Sequence, residues 1–254
     1  MNSVQTMRTT APVKTYIGPD SSRMVGDLLR EQGVDSVLIV TDKNIEAAGL
    51  LAGVEDSLRT AGCSFIVYDE TPADPPDTAV DRMCALCWEK RCQAVIAVGG
   101  GSCIDSGKCV AFMQRNPGRI RDYLLDPTLP RRKGVPFIAI PTTSGTGSEV
   151  TFGVVITDSQ SGRKIGAGGP EFFASAGILD PLLTVGLPRS VTASTAMDAF
   201  AHAVESMLSG KSNPTCRLFA GEAVRLISGN LEAVLSNGQD VSRRQHLMYA
   251  AYLA

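Results

Sequence analysis

The sequence predicts an α/β fold, a doubly wound parallel sheet followed by an all-helical region, and three observations support this class. Short apolar runs rich in β-branched residues occur at 36–40, 94–98 and 135–140, as expected for strands buried on both faces. Amphipathic segments with helical spacing separate these runs, which favours parallel strands joined by helical crossovers. After residue 187 apolar residues recur only at helical spacing. We therefore predict an α/β domain over 1–187 and part of a helical domain over 188–254.

The elements follow one another in a regular order. Gly33, Gly62 and the prolines at 72, 75 and 76 mark turns between them. The predicted strands are 16–19, 36–40, 64–68, 94–98 and 135–140. The predicted helices are 24–29, 44–58, 80–88, 104–114, 197–208 and 213–227, with a last one starting near 241.

Composition excludes several classes of function. The chain has 254 residues, 44% hydrophobic and 20% charged, with a net charge of −2 and no basic block, so nucleic acid is not expected as its main partner. No apolar run approaches the ~20 residues of a membrane span. Residues 1–13 are polar and lack the apolar core of a secretory signal, so we expect a disordered tail there.

The seven cysteines indicate a reducing compartment, the cytoplasm. Cys84 and Cys87 fit the periodicity of the helix at 80–88, which favours burial in the core over a metal or redox site.

The stretch 99–108, Gly-Gly-Gly-Ser-Cys-Ile-Asp-Ser-Gly-Lys, follows the central strand. Glycines let backbone N–H groups approach a ligand closely, and a helix N-terminus adds a positive dipole end. This pattern favours phosphate binding over a plain turn. Ser102 is expected to cap a helix that begins near Ile104, with Asp105 in its first turn. A P-loop is excluded because Ser102 and Cys109 occupy positions where that motif requires Gly and Ser or Thr.

Two further stretches fall at carboxyl ends of predicted strands, where α/β sheets bind ligands. Residues 141–149, Pro-Thr-Thr-Ser-Gly-Thr-Gly-Ser-Glu, can donate several hydrogen bonds to a pyrophosphate or a ribose, although a simple Ser/Thr turn has the same composition. Asp42 ends another strand. It could accept hydrogen bonds from a ribose and favour NAD over NADP, or it could cap the next helix; both interpretations remain open.

Asp198 and His202 lie four residues apart on a predicted helix, so they share one face. A carboxylate and an imidazole suit Fe²⁺, Zn²⁺ or a similar metal, while a surface ion pair is the simpler alternative. Glu205 on the same side could orient His202 or join the site.

Three motifs in order resemble one family, the iron-containing (group III) alcohol dehydrogenases. The motifs are Gly99-Gly100-Gly101-Ser102-x-x-Asp105, Pro141-Thr142-Thr143-x-Gly145-Thr146-Gly147-Ser148-Glu149 and Met197-Asp198-Ala199-Phe200-Ala201-His202-Ala203-x-Glu205. The resemblance runs from about Tyr16 to the last residue. It implies an N-terminal dinucleotide-binding domain, a C-terminal helical domain and an active site in the cleft between them.

The resemblance also implies roles for individual residues. It places two of four metal ligands at Asp198 and His202 and implies reversible hydride transfer between a small alcohol or aldehyde and NAD(P), with a divalent metal as Lewis acid. Homodimers or larger homo-oligomers are expected, without nucleic acid or membrane partners. The cofactor-binding positions are Asp42, Gly100, Gly101, Ser102, Asp105, Thr142, Thr143, Thr146 and Lys164.

One departure from the family pattern affects the expected activity. The family's other two metal ligands are His residues that lie beyond position 254, so we interpret the chain as C-terminally truncated and expect weak metal binding. Two alternatives remain: a metal-free enzyme resembling maleylacetate reductase, and a catalytically inactive nucleotide-binding fragment.

Overall fold

A computed structural model of the protein describes residues 11–254. The expected disordered tail, residues 1–13, falls almost entirely outside them. Its last residue, Val13, is buried in the core next to the first strand, so the tail is shorter than predicted at this end.

Six parallel strands form the central sheet, which confirms the predicted parallel arrangement and adds a strand at 176–179 to the five predicted ones. Their order across the sheet is β1-β8-β5-β4-β2-β3. The strands are β1 (Lys14–Ile17), β2 (Ser36–Val40), β3 (Ser64–Tyr68), β4 (Ala94–Gly99), β5 (Phe137–Pro141) and β8 (Ala176–Leu179). A separate antiparallel hairpin consists of β6 (Gly153–Thr157) and β7 (Lys164–Gly168).

Helices cover both faces of the sheet, which explains why its strands are continuously apolar. Along β4, Val95 and Ala97 face one core cluster, and Ile96 and Val98 face the other. The helices of this part are α1 (Val25–Arg30), α2 (Lys43–Ala47), α3 (Ala52–Thr60), α4 (Asp77–Glu89), α5 (Gly101–Met113) and α6 (Ile120–Leu125). The buried free cysteines Cys84 and Cys87 confirm the core interpretation.

Several helix boundaries differ from the prediction. The helices predicted at 197–208 and 213–227 run over Arg189–Leu208 and Pro214–Ser236, and two further differences lie in the α/β part. The predicted helix 44–58 is two helices, α2 and α3, because the chain between them turns at Gly49 with φ +69°. Helix α5 begins at Gly101 rather than near Ile104, with Gly100 as its N-cap and no side-chain cap from Ser102. The expected start of α5 was based on the apolar periodicity. That periodicity marks the buried face of a helix and does not show where the helix begins.

The strand order places a topological switch point between β2 and β4. From β2 the chain moves to the sheet edge at β3, and from β4 it moves the opposite way to β5. The connections after β2 and β4 therefore diverge and leave a crevice at the carboxyl edge, where α/β sheets bind ligands. Asp42 follows β2, and the turn Gly99–Ser102, hereafter the glycine turn, follows β4.

Three helices follow the sheet: α7 (Arg189–Leu208), α8 (Pro214–Ser236) and α9 (Val241–Leu253). Their core consists largely of small residues, among them Ala196, Ala199 and Ala203 of α7. The expected apolar face of α7 is wrong in part, because Met197 and Leu208 are exposed. Alanines spaced three and four residues apart allow close helix packing. They therefore form the buried face of the helix in place of the larger side chains beside them.

The predicted boundary at residue 187 lies between a short 3-10 helix, Pro181–Thr184, and α7. The division into two domains there stays a prediction. Within residues 11–254, none of the helices is both long and apolar enough to cross a bilayer.

Candidate active site

A cavity of about 570 Å³ lies between the carboxyl edge of the sheet, the β6–β7 hairpin and α7. Asp198 and His202 of α7 line it together with the glycine turn. We call this cavity the cleft. The predicted site residues that line it are Gly101, Ser102, Asp105, Thr146, Lys164, Asp198 and His202. The remaining four are not among its lining residues: Gly100, Thr142 and Thr143 belong to two loops that contribute to the lining, and Asp42 lies beside Cys103 of α5.

The glycine turn presents backbone donors at the start of α5. Gly99 has φ +153°, a conformation that favours glycine. The first α-helical bond of α5 runs from the Ile104 N–H to the Gly100 carbonyl, so the N–H groups of the three preceding residues have no partner within the helix. Because no side chain caps this helix, these donors and the dipole end suit an anion.

The loop Pro141–Glu149, hereafter the hydroxyl loop, lies against the glycine turn. The Thr142 N–H donates to the Gly99 carbonyl at 3.0 Å. A Cβ at Gly100 would lie 3.8 Å from the Thr143 hydroxyl oxygen, and one at Gly101 would lie 3.3 Å from that of Thr146. Two threonine side chains therefore flank the backbone that a phosphate would approach. The Thr142 side chain is buried, and its hydroxyl has no hydrogen-bond partner among residues 11–254.

The same loop also packs tightly against the helical region. A Cβ at Gly145 would lie 2.9 Å from the Thr195 Cβ of α7, and one at Gly147 would lie 3.1 Å from the Ala251 carbonyl of α9. Gly147 has φ +62°. A side chain at Gly145 would push against α7 and one at Gly147 against α9, so the two glycines allow the hydroxyl loop to pack closely on the helical region that carries Asp198.

Of the two interpretations that the sequence position of Asp42 left open, the structure shows helix capping. Its Oδ1 accepts hydrogen bonds from the backbone N–H groups of Asn44 and Ile45, which confirms the helix-capping role. Its Oδ2 lies 3.6 Å from the Cys103 Sγ, on the side of the glycine turn. One carboxylate oxygen is thus used for capping, and the ribose contact stays a prediction.

Asp105 holds together the wall of the cleft opposite α7. Its Oδ1 accepts from the Ser148 hydroxyl at 2.7 Å, and its Oδ2 accepts from the Val155 N–H at 2.9 Å. The fully buried Lys108 Nζ lies 3.6 Å from Oδ1 and donates to the Gly153 carbonyl at 2.7 Å. Since both carboxylate oxygens have partners, Asp105 ties α5 to the hydroxyl loop and to β6.

Glu149 lies buried at the end of the hydroxyl loop, and burial raises its pKa from 4.5 to about 7, with Lys108 acting in the opposite direction. In the folded state it therefore binds a proton between about pH 4.5 and 7 that the unfolded chain has already released. Stability should fall as pH rises through this window.

We expect Glu149→Gln to flatten that pH dependence, because glutamine does not titrate. Urea unfolding of both proteins at pH 5 and pH 7.5 measures the difference. If the stability of the wild type and that of the variant changed by the same amount between the two pH values, the raised pKa of Glu149 in the folded state would be contradicted.

Asp198 and His202 share one face of α7, as predicted, and both point into the cleft. The His202 Nε2 lies 3.7 Å from the Asp198 Oδ1, longer than a hydrogen bond, and each side chain is nearly half exposed. The two groups therefore lie within ion-pair distance without a hydrogen bond, and the ion-pair alternative stays open beside the metal-ligand prediction. Glu205 is exposed, and no hydrogen bond joins it to His202 in the described part of the chain.

The donors present do not fit a resident metal by themselves. Among residues 11–254, no three or more His, Cys, Asp or Glu side chains are grouped so that they could hold an ion. Catalytic metal sites use at least three protein ligands in the well-known zinc cases. Asp198 and His202 thus provide two donors that face the cleft.

Sequence reasoning missed part of the wall. Asp74 and Thr151 line the cleft, and Thr157 joins the loop that carries Asp74 to the β6–β7 hairpin. Neither the proline-rich segment that carries Asp74 nor the short hairpin contains a ligand-binding motif that the sequence would reveal. The Asp74–Lys164 ion pair joins positions far apart in sequence, and a pattern in one chain cannot reveal it.

The arrangement is matched by known proteins. A model of the family "iron-containing alcohol dehydrogenase" matches residues 12–181, and a model of the C-terminal part of the same family matches residues 192–254. The chain belongs to the iron-containing alcohol dehydrogenase family. The resemblance seen in the motifs is thus confirmed over nearly all of the described residues.

Individual members of the iron-containing alcohol dehydrogenase family show how far the similarity extends. The NAD-dependent methanol dehydrogenase of Bacillus methanolicus is 35% identical over 96% of this chain and 64% of its own length. The 4-hydroxybutyrate dehydrogenase of Cupriavidus necator is 37% identical over 86% of this chain and 57% of its own. The chain therefore spans about three fifths of these relatives.

Solved structures agree in fold. A 1,3-propanediol oxidoreductase superposes with a TM-score of 0.93 at 32% identity, over 98% of this chain and 65% of that one. The sulfoacetaldehyde reductase of Bifidobacterium kashiwanohense, in complex with NAD⁺, gives a TM-score of 0.93 at 29% identity, over 98% and 66%. The predicted parallel-sheet α/β fold with a helical C-terminal part is confirmed.

Proposed function

We propose that this chain carries the nucleotide-binding part and two metal-binding side chains of an NAD-dependent alcohol dehydrogenase. One observation supports this most: the glycine turn and the Asp198–His202 pair line the same cleft of about 570 Å³. A nucleotide bound at the turn would extend toward α7. The substrate class is a small primary or secondary alcohol and the corresponding aldehyde or ketone.

The residues of the glycine turn and the hydroxyl loop fit a dinucleotide. Free N–H groups at the start of α5 suit the pyrophosphate, and Thr143 and Thr146 can donate hydrogen bonds beside it. The Asp42 Oδ2, which also faces the Cys103 thiol, would accept from the ribose hydroxyls and repel a 2′-phosphate, which favours NAD over NADP. Gly100, Gly101, Ser102, Asp105, Thr142 and Lys164 complete the proposed contact set. NAD, when bound, supplies the acceptor of the substrate hydride.

Asp198 and His202 would contribute two ligands to an Fe²⁺ or Zn²⁺ ion, since carboxylate and imidazole suit both. Two ligands hold a metal weakly, so we expect the 254-residue chain to lose it on dialysis and to sustain no alcohol turnover. The second candidate is a metal-free enzyme resembling maleylacetate reductase, and the exposure of both donors to the cleft disfavours it. An inactive nucleotide-binding fragment is the third.

Metal analysis after dialysis, together with NAD titration by calorimetry, tests the proposal. We expect NAD binding with substoichiometric metal, and equal NAD affinity in an Asp198→Asn/His202→Gln variant, whose changes lie at the metal side of the cleft. Added Zn²⁺ should bind more weakly to that variant than to wild type. Stoichiometric iron or zinc with steady turnover would refute the expected weakness, and no NAD binding would refute the nucleotide site.

Two further expectations complete the proposal. All seven cysteines are free thiols, which supports a reducing compartment such as the cytoplasm. Exposed apolar side chains on the helical region, including Leu208, Leu218 and Phe219, support a homodimer or larger homo-oligomer.

A further inference from the structure

The rim of the cleft carries an ion pair that joins two separate segments. The Lys164 Nζ, at the start of β7, lies 2.7 Å from the Asp74 Oδ1. Both side chains line the cleft and are more than half exposed. Among the described residues that line the cleft, Lys164 is the only lysine or arginine. The one strongly basic group available to an anionic ligand is thus already paired with a carboxylate.

The backbone that carries this carboxylate is held in place. Asp74 has φ +51°, and its carbonyl accepts from the Thr157 hydroxyl at 3.1 Å. The Thr157 N–H donates to the Pro75 carbonyl at 2.9 Å, and the Asp74 N–H faces the Ser102 hydroxyl at 3.4 Å. These contacts come from β6 and from the glycine turn. The loop therefore cannot move the carboxylate away without breaking several hydrogen bonds.

Lys164 is anchored by its backbone but has a mobile side chain. It is the direct strand partner of Thr157 in the β6–β7 hairpin, so Asp74 and Lys164 are both held at the same end of one strand pair. A lysine side chain has four rotatable carbons and can exchange one anionic partner for another without a backbone change.

We propose that Asp74 restrains Lys164 and thereby sets the affinity of the cleft for the diphosphate of a nucleotide. The inference rests on the proposed nucleotide site. A bound diphosphate has to take Lys164 from the Asp74 carboxylate, and breaking that pair weakens binding. Asp74 is thus a positioning residue whose charge opposes the ligand through Lys164. The restraint depends on a single contact, between the Asp74 Oδ1 and the Lys164 Nζ.

Asp74→Asn is the test variant, because asparagine tolerates positive φ as well as aspartate and differs only in charge. Titration with NAD and with ADP by calorimetry should show about threefold tighter binding, the size expected for one exposed ion pair. The gain should shrink as salt is raised. Adenosine, which lacks phosphate, should bind both proteins equally.

Two further variants separate the restraint from other effects. In a Lys164→Met background, Asp74→Asn should leave the affinity for ADP unchanged, because the lysine it restrains is gone. Asp27→Asn, which removes an exposed carboxylate paired with Arg30 outside the cleft, should also leave affinity unchanged. An equal gain in both lysine backgrounds would overturn the proposal in favour of direct repulsion.

The remaining outcomes distinguish this inference from the proposed function. Weaker binding by Asp74→Asn, or no change, would overturn the restraint while leaving the nucleotide site intact. A wild-type chain that binds neither NAD nor ADP would overturn both.

Discussion

Replacing Asp105 with leucine should destabilise the protein by about 3–5 kcal/mol, the cost of removing one partner from a buried ion pair. The Lys108 side chain has no exposure, and Asp105 is the nearest carboxylate to its ammonium group. The substitution also leaves the Ser148 hydroxyl and the Val155 N–H without their acceptor. Urea unfolding of wild type and variant at the same pH measures the loss.

The companion variant is Asp105→Leu/Lys108→Met. Because methionine removes the buried charge, the double variant should be more stable than Asp105→Leu alone. Equal instability of the two variants would show that the stability does not depend on pairing this lysine. NAD affinity should fall in both, since the carboxylate holds β6 and the hydroxyl loop around the cleft.

Replacing Gly107 with alanine is the second change expected to have a large effect, about 1–3 kcal/mol of stability, which is typical of overpacking. A Cβ at this position of α5 would lie 2.8 Å from the Phe137 ring and 2.9 Å from the Ala97 Cβ. The helix can accept it only by moving off β4 and β5. Such a shift carries the first turn of α5 with it, so NAD affinity should fall as well.

Gly229→Ala is the matched control for that substitution. Gly229 also lies inside a long helix, α8, but a Cβ there would meet no atom within 4 Å. Alanine should stabilise this position by about 0.5–1 kcal/mol through its helix propensity. Thermal unfolding of the two variants distinguishes the cases, and a stabilising Gly107→Ala would contradict close packing of α5 on the sheet.

The central strands β2, β4 and β5 could be predicted from sequence because each is a nearly uninterrupted apolar run, whereas β8 has only four residues and was not predicted. The run 94–99 fills both faces of the sheet, so no polar residue is tolerated in it. The glycine turn and the hydroxyl loop were predictable for a related reason. Each directly follows such a strand, and parallel strands bring their carboxyl ends to one edge.

Contacts between distant segments could not be predicted in the same way. The roles of Asp105 and Asp74 depend on β6 and β7, whose positions no local pattern specifies. The prediction of the buried face of α7 was wrong at Met197, because small residues rather than large ones pack against α8 and α9. Large apolar residues dominate the hydrophobic pattern of a sequence, whereas close packing between helices favours small residues such as alanine.

The central claim is that one cleft receives a nucleotide at the glycine turn and extends to Asp198 and His202. Amide chemical-shift mapping of the labelled chain during an NAD titration tests it directly. We predict the largest amide chemical-shift changes at Gly101, Ser102 and Thr146, with smaller changes around His202. Shifts confined to another surface, such as the cavity beside Tyr123, or no shifts at all, would contradict it.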